Sequence, residues 1–212
     1  MRLFIALNIP EGIKDRIADE ILPLVPKRGF KAVEKENLHV TLGFIGESDE
    51  GRMEKIKKGL EKINYKKFNA RIKGAGNFGT RVLWLGIEEG AQEISEIAKL
   101  AMDRAGMHDE KQQFRLFVQT WAGGTLFGRM GTTVVPLTGN KQHTSGYYAK
   151  FHPHITLARN RDAKPAEFYN VLEKASKAGF VEEFEAKAVS LMESTLTPAG
   201  ARYREIYRKE FS

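Results

Sequence analysis

Leu38-His39-Val40-Thr41-Leu42 and Pro153-His154-Ile155-Thr156-Leu157 are one pattern written twice, a histidine and a threonine two residues apart among aliphatic neighbours. Extended backbone points successive side chains to opposite faces, so each stretch buries its aliphatic row and presents His and Thr together on the other face. Two such strands can aim two imidazoles at one ligand.

Working outward, Arg2 to Ile9 reads as a strand apolar on both faces, and therefore central in its sheet. Ile13, Ile17, Ile21 and Leu24 then recur at helical spacing from Glu11 to Leu24, with Pro10 at the start and Pro23 and Pro26 at the end. A short strand from Phe30 to Glu34 precedes the first motif strand, Leu38 to Ile45. Ser48 or Asp49 is placed to cap a basic amphipathic helix carrying Met53, Ile56, Leu60 and Ile63. Phe68 to Ile72 and Val82 to Ile87 read as paired strands about a turn region at Gly74 to Gly79. A helix runs from Ala91 to Gly106.

Met107 to Lys150 fits a hairpin or a long excursion better than a helix, with alternation at Phe114, Leu116 and Val118 and glycine turn signals throughout. After the second motif, Pro165 opens a helix to Gly179. Phe184 to Leu191 and Arg202 to Phe211 close the chain as strands, joined by a turn at Thr197-Pro198-Ala199-Gly200. The expected class is α+β with a weak twofold internal repeat, in one domain of two packed lobes, with residues 111–150 as a long insertion.

The chain has 212 residues, 42% hydrophobic and 29% charged, enough for one sizeable core and unlike a disordered protein. With no cysteine, disulfides and thiolate metal sites are excluded, and a cytoplasmic location is expected. The apolar start is broken by Asn8, Pro10 and Glu11, short of a signal or a membrane span. The net charge is +7, and Lys111, Arg115, Arg129, Lys141, Lys150, Arg159 and Arg161 occupy a stretch with no Asp or Glu. Elsewhere the charges balance, so this stretch carries the whole excess. Clustered cations attract a phosphate-bearing partner; a plain solvated surface is the alternative.

Histidine has an unperturbed pKa of about 6.5 and can give or take a proton near neutrality. One neutral and one protonated imidazole, His39 and His154, are a base and an acid for a single in-line displacement at phosphorus. Thr41 and Thr156 offer hydroxyl donors to phosphoryl oxygens, and Arg159 a bidentate contact. Nucleophilic-serine and phosphate-loop motifs are absent from the sequence. His152, His154 and His39 form a conceivable three-histidine metal set, but no acidic residue lies near the second motif, and no metal or other cofactor is expected. Ordinary half-buried strand histidines are the competing interpretation of each motif taken singly. Phe4, Trp84 and Phe151 could stack on a base, with Trp84 expected in the core; Tyr147-Tyr148 are further stacking candidates. His152 is a candidate orienting residue, whereas His108 and His143 read as surface loop.

At these residues the sequence resembles the two-histidine (2H) phosphoesterases, specifically the RNA 2′,3′-cyclic phosphodiesterases formerly called 2′-5′ RNA ligases. The likeness rests on His39-Val40-Thr41-Leu42 and His154-Ile155-Thr156-Leu157, and extends over Arg2-Leu3-Phe4-Ile5-Ala6-Leu7, Glu36-Asn37-Leu38, Arg81 to Gly86, Phe151-His152-Pro153, Ala158-Arg159 and Ser194 to Pro198. It implies a bilobal fold in which two antiparallel sheets face a groove, each supplying one His-x-Thr. The implied activity is opening of a 2′,3′-cyclic phosphate at an RNA end to a 2′-phosphate, without metal, and in reverse a 2′-5′ ligation. In that scheme His154 is base to water, His39 is acid to the departing 3′ oxygen, and Thr41, Thr156 and Arg159 hold the phosphate. The implied partner is RNA with such ends, tRNA fragments included, and the expected state is a monomer off the membrane. The 111–150 stretch is longer than the family's usual link. An RNA-end-binding module without chemistry, or an enzyme acting on a small nucleotide-derived cyclic phosphate, are the alternatives.

Overall fold

The computed structural model describes residues 1–107, 151–198 and 200–212; the excursion expected over Met107 to Lys150, Tyr147-Tyr148 included, lies outside the described residues apart from Met107 itself. Among the described residues nine strands appear in chain order: β1 Arg2–Asn8, β2 Phe30–Ala32, β3 His39–Glu47, β4 Phe68–Phe78, β5 Val82–Glu89, β6 His154–Asn160, β7 Val181–Ala186, β8 Ala188–Thr197 and β9 Gly200–Glu210. The helices are α1 Glu11–Arg16, α2 Glu50–Glu61, α3 Ala91–Arg104 and α4 Pro165–Lys177.

The spatial order is β7-β4-β5-β6-β3-β1-β8-β9, with β2 on β6, and every pairing is antiparallel. Strand β1 lies inside this order, buried along most of its length, as its two apolar faces require. The halves β3-β1-β8-β9 and β6-β5-β4-β7 meet through a single pair, Val40 with Ile155. Farther along, the free edge of β6 passes to β2, which pairs at Ala158, Arg159 and Asn160. The two facing sheets expected from sequence are thus the two halves of one curled sheet.

The curl follows from connectivity. Strands β7 and β8 are six steps apart in the order, yet only Lys187 separates them in the chain. Six strand spacings in a flat sheet span about 29 Å, while two Cα steps reach about 7.6 Å. The sheet must bend until its two halves approach. This corrects the single strand expected from Phe184 to Leu191: the chain leaves one half at Ala186 and joins the other at Ala188. Its buried residues run on across the break, so apolar alternation gave no sign of it.

One continuous core fills the convex side, where Ile56, Ile94, Ile97, Met102, Phe168 and Val171 of the helices meet Leu7, Val40, Leu85, Ile155 and Leu191 of the strands. Gly43 of β3 admits α3 closely, since a Cβ there would lie 2.3 Å from Met102 Sδ. Asp49 caps α2 by accepting the Arg52 N–H. The helix expected from Glu11 to Leu24 is α-helical only to Arg16. It continues as a wider π turn over Ile17–Ile21, with Leu22 N–H bonded to the Ile17 carbonyl, before Pro23, which has no N–H to donate. Strand β4 runs on to Phe78, through the glycines expected to form a turn. A second, smaller cluster of Phe4, Ala6 and Met192, with Phe44 and Tyr203 against it, lies apart from this core.

Candidate active site

His39 and His154 are the first residues of β3 and β6, the two strands that meet at the seam. Continuing the antiparallel register by one residue on either side of the Val40–Ile155 pair sets His39 opposite Thr156 and Thr41 opposite His154. All four side chains then share the face opposite the core-buried Val40 and Ile155.

Each imidazole is held in the same way. His39 Nδ1 is 2.7 Å from the Asn37 carbonyl, and His154 Nδ1 is 2.6 Å from the His152 carbonyl. A carbonyl only accepts, so Nδ1 carries the proton in both rings and, in the neutral form, Nε2 is a bare acceptor. His39 Nε2 lies 2.9 Å from Thr41 Oγ1, whose hydroxyl donates to it. Burial pulls both imidazoles from 6.5 down to about 4. For His39, the charges of His154 and Lys14 push the same way, against the Asn37 hydrogen bond. For His154, the charge of His152 adds to burial against the bond to its carbonyl. Both rings are therefore neutral in the free protein at neutral pH.

Arg159 is odd-numbered beside the even-numbered His154 and Thr156, and strict alternation would send it to the core side. A β-bulge prevents this. Leu83 pairs with Ala158 while Trp84 pairs with Thr156, so Leu157 is an extra residue on β6. Leu157 and Ala158 both enter the core, and Arg159 emerges exposed on the side of the threonine. Its charge is felt at the Tyr203 phenol, which burial raises and Arg159 lowers. Strand β3 carries the same device. Ala6 pairs with Thr41 and Ile5 with Gly43, leaving Leu42 as the bulge and returning Phe44 toward Phe4, with ring centroids 6.1 Å apart. Five residues after the histidine, one motif therefore supplies Arg159 and the other Phe44.

The surroundings of the two histidines differ. His154 faces Gly86 across β5, and its ring meets Phe78 edge-on with centroids 4.9 Å apart. Trp84, expected in the core, lies outside it: half-buried, its indole packs 4.7 Å from His152 and 6.1 Å from His154. Gly76 makes room for it, since a Cβ there would sit 2.1 Å from the indole ring. His39 faces Asn8 across β1, with Phe4 at 5.1 Å and Tyr203 edge-on at 5.4 Å. Tyr203 was not singled out in the sequence; only its strand was. Asn37 ties this region together, its carbonyl accepting from His39 and its amide donating to the Ala201 carbonyl.

Of the other sequence candidates, Phe4 is only 2% exposed and packs as a wall beneath His39, whereas Phe151 is 37% exposed. The His152 ring is exposed against Trp84, and its backbone orients His154. Among the described residues no group of three or more His, Asp or Glu is gathered to share an ion, so the three-histidine set is not formed there. Among the described residues no helix is long and apolar enough to cross a membrane.

A curled antiparallel sheet with helices outside, carrying two strand-borne His-x-Thr pairs at its seam, defines the two-histidine phosphoesterase class. Residues 13–197 match the model of the 2′-5′ RNA ligase superfamily, and the chain belongs to that family. A Methanocaldococcus jannaschii protein named RNA 2′,3′-cyclic phosphodiesterase is 30% identical over 97% of this chain and 98% of its own length. One of the same name from Archaeoglobus fulgidus is 27% identical over 97% and 98%. The fold matches the crystal structure of the Thermus thermophilus protein TT0787 with a TM-score of 0.68 at 23% identity, over 99% of this chain and 97% of that one. It also matches Escherichia coli LigT complexed with ATP, with a TM-score of 0.64 at 21% identity, over 100% and 98%.

Proposed function

We propose that the protein is an RNA 2′,3′-cyclic phosphodiesterase that opens the cyclic phosphate to a 2′-phosphate with His39 and His154 as its acid and base. The observation that carries this is the seam, where one residue pair sets two imidazoles of like tautomer on one face, each with Nε2 free of backbone bonds. The substrate class comes from the relatives, both named RNA 2′,3′-cyclic phosphodiesterase.

In the forward reaction His154 Nε2 takes a proton from water as its oxygen bonds to phosphorus. The bond from phosphorus to the 3′ oxygen breaks in line, and His39 Nε2–H delivers its proton to that oxygen. The products are a 2′-phosphomonoester and a 3′-hydroxyl. For this His39 must be protonated in the complex although neutral without substrate, and the anion provides the means by favouring the charged ring. Once Nε2 is protonated, Thr41 can no longer donate to it, and its hydroxyl turns to a phosphoryl oxygen, alongside the Thr156 hydroxyl and the Arg159 guanidinium. Both proton transfers and the charge stabilisation come from side chains, so no metal or cofactor is required. An RNA 5′-hydroxyl in place of water, deprotonated by His154 as its oxygen bonds to phosphorus and the bond to the 3′ oxygen breaks, gives 2′-5′ joining with the histidines in the same roles.

The test is incubation of a short RNA bearing a 2′,3′-cyclic end, with and without chelator, and identification of the oxygen that keeps the phosphate. A 2′-phosphate formed equally with chelator is expected, with turnover lowered about 100-fold or more in His39→Ala and in His154→Ala. Unaltered RNA, a 3′-phosphate, or full activity in either variant would overturn the proposal.

A further inference from the structure

The His39 half of the groove holds a carboxylate, an unexpected group where an anion is to bind. Glu205 Oε2 accepts from the Ser190 hydroxyl at 2.5 Å and from Asn8 Nδ2 at 2.7 Å, and Asn8 Nδ2 also donates to Ser190 Oγ at 3.2 Å. Ser190 is fully buried, while Glu205 stays open to solvent. Arg208 approaches the same Oε2, at 3.8 Å. Asn8 Nδ2 thereby faces both oxygens, which fixes its orientation and turns Oδ1 away from Glu205. Among the described residues nothing bonds Asn8 Oδ1 or Glu205 Oε1. Asn8 is the direct cross-strand partner of His39. The corresponding partner of His154 is Gly86, which has nothing to offer.

Two unpaired acceptors therefore stand beside one histidine only. In the proposed reaction the departing 3′ oxygen, and with it the ribose and base, lies on the His39 side, opposite the attacking water. We propose that Asn8 and Glu205 form a base-reading subsite that selects RNA ends whose terminal base presents hydrogen-bond donors, guanine above all. Guanine offers adjacent N1–H and N2–H donors, both within reach of the unbonded Glu205 Oε1. Adenine and cytosine offer an amino group. Uracil offers a single N–H between two carbonyls that repel the carboxylate. This rests on the roles assigned to the histidines above.

The experiment compares kcat/KM for the four nucleoside 2′,3′-cyclic monophosphates in the native protein and in Glu205→Gln. Glutamine keeps an oxygen for Ser190 and Asn8 but turns an amino group outward. The native protein is expected to favour guanosine over uridine by about tenfold or more, and Glu205→Gln to shift that ratio about tenfold toward uridine. A native protein indifferent to the base, or a variant that slows all four substrates equally, overturns the subsite and leaves Glu205 a support for Ser190. Calorimetric affinities of the four nucleoside 2′-monophosphates give the same ranking without turnover. If no cyclic phosphate is opened yet 2′-GMP binds best and Glu205→Gln abolishes that preference, the reaction fails and the subsite stands.

Discussion

Acid should weaken this fold through the two motif histidines, by an amount their environments set. Each imidazole titrates near 6.5 when unfolded and near 4 when folded. Below about 6.5 the unfolded chain binds protons that the folded chain refuses, so stability falls as pH drops from there toward 4 and levels off on either side. Between about pH 7 and about pH 4.5 the loss is about 2.5 kcal/mol for each ring. Carboxylates titrate in the same range, so the measurement is a difference: urea unfolding of the native protein, His39→Gln and His154→Gln at both pH values. Glutamine does not titrate. Each variant should therefore lose about 2.5 kcal/mol less than the native protein on acidification, a change in midpoint of about 1 M urea. An equal acid loss in all three proteins would mean that neither ring is held neutral by burial.

The same neutrality has a kinetic signature. Because kcat/KM reports the free protein, it should be greatest in mild acid and fall toward neutral pH, whereas the kcat profile should lie about one to three pH units higher, since the bound anion favours the protonated ring; coincident profiles would contradict this. Arg159→Ala should weaken binding of inorganic phosphate and of cyclic nucleotides about tenfold or more, with Arg159→Lys recovering part of the loss, as checked by calorimetry. Gly76→Ala should destabilise the fold by about 1 to 3 kcal/mol in urea unfolding by lifting the Trp84 indole off the sheet, and should quench or shift tryptophan fluorescence.

The parts of this structure that obey a strict period were legible in the sequence. His39 and Thr41, like His154 and Thr156, share a face because two residues of strand restore direction, and helices α2, α3 and α4 follow their apolar spacing. What could not be read off depends on breaks in period or on pairing between distant segments. Arg159 can be read as a phosphate contact from its place just beyond the second motif, but what turns it to the face of the threonine is the extra residue Leu157, and a bulge leaves no mark in composition. The division at Lys187 was hidden because Phe184, Ala186, Ala188 and Val189 are buried on both sides of it. Trp84 looked like core because a large aromatic in an apolar strand usually is. Its place beside the histidines is set by the bare backbone of Gly76 on a neighbouring strand. Tyr203 and Glu205 acquire meaning only once β9 is known to border β8, and β8 to border β1, a relation between the two ends of the chain.

Two copies of one motif ending in different side chains make the cleft directional. Were both strands to close with the same residue, a cyclic phosphate could dock either way round, and half of all encounters would present the wrong oxygen to each imidazole. With a guanidinium beyond one threonine and a phenyl ring beyond the other, a flipped ligand would surrender its cationic contact to a hydrocarbon wall. In the proposed reaction an RNA terminus would then enter with only one polarity, and a duplicated scaffold would handle an asymmetric substrate.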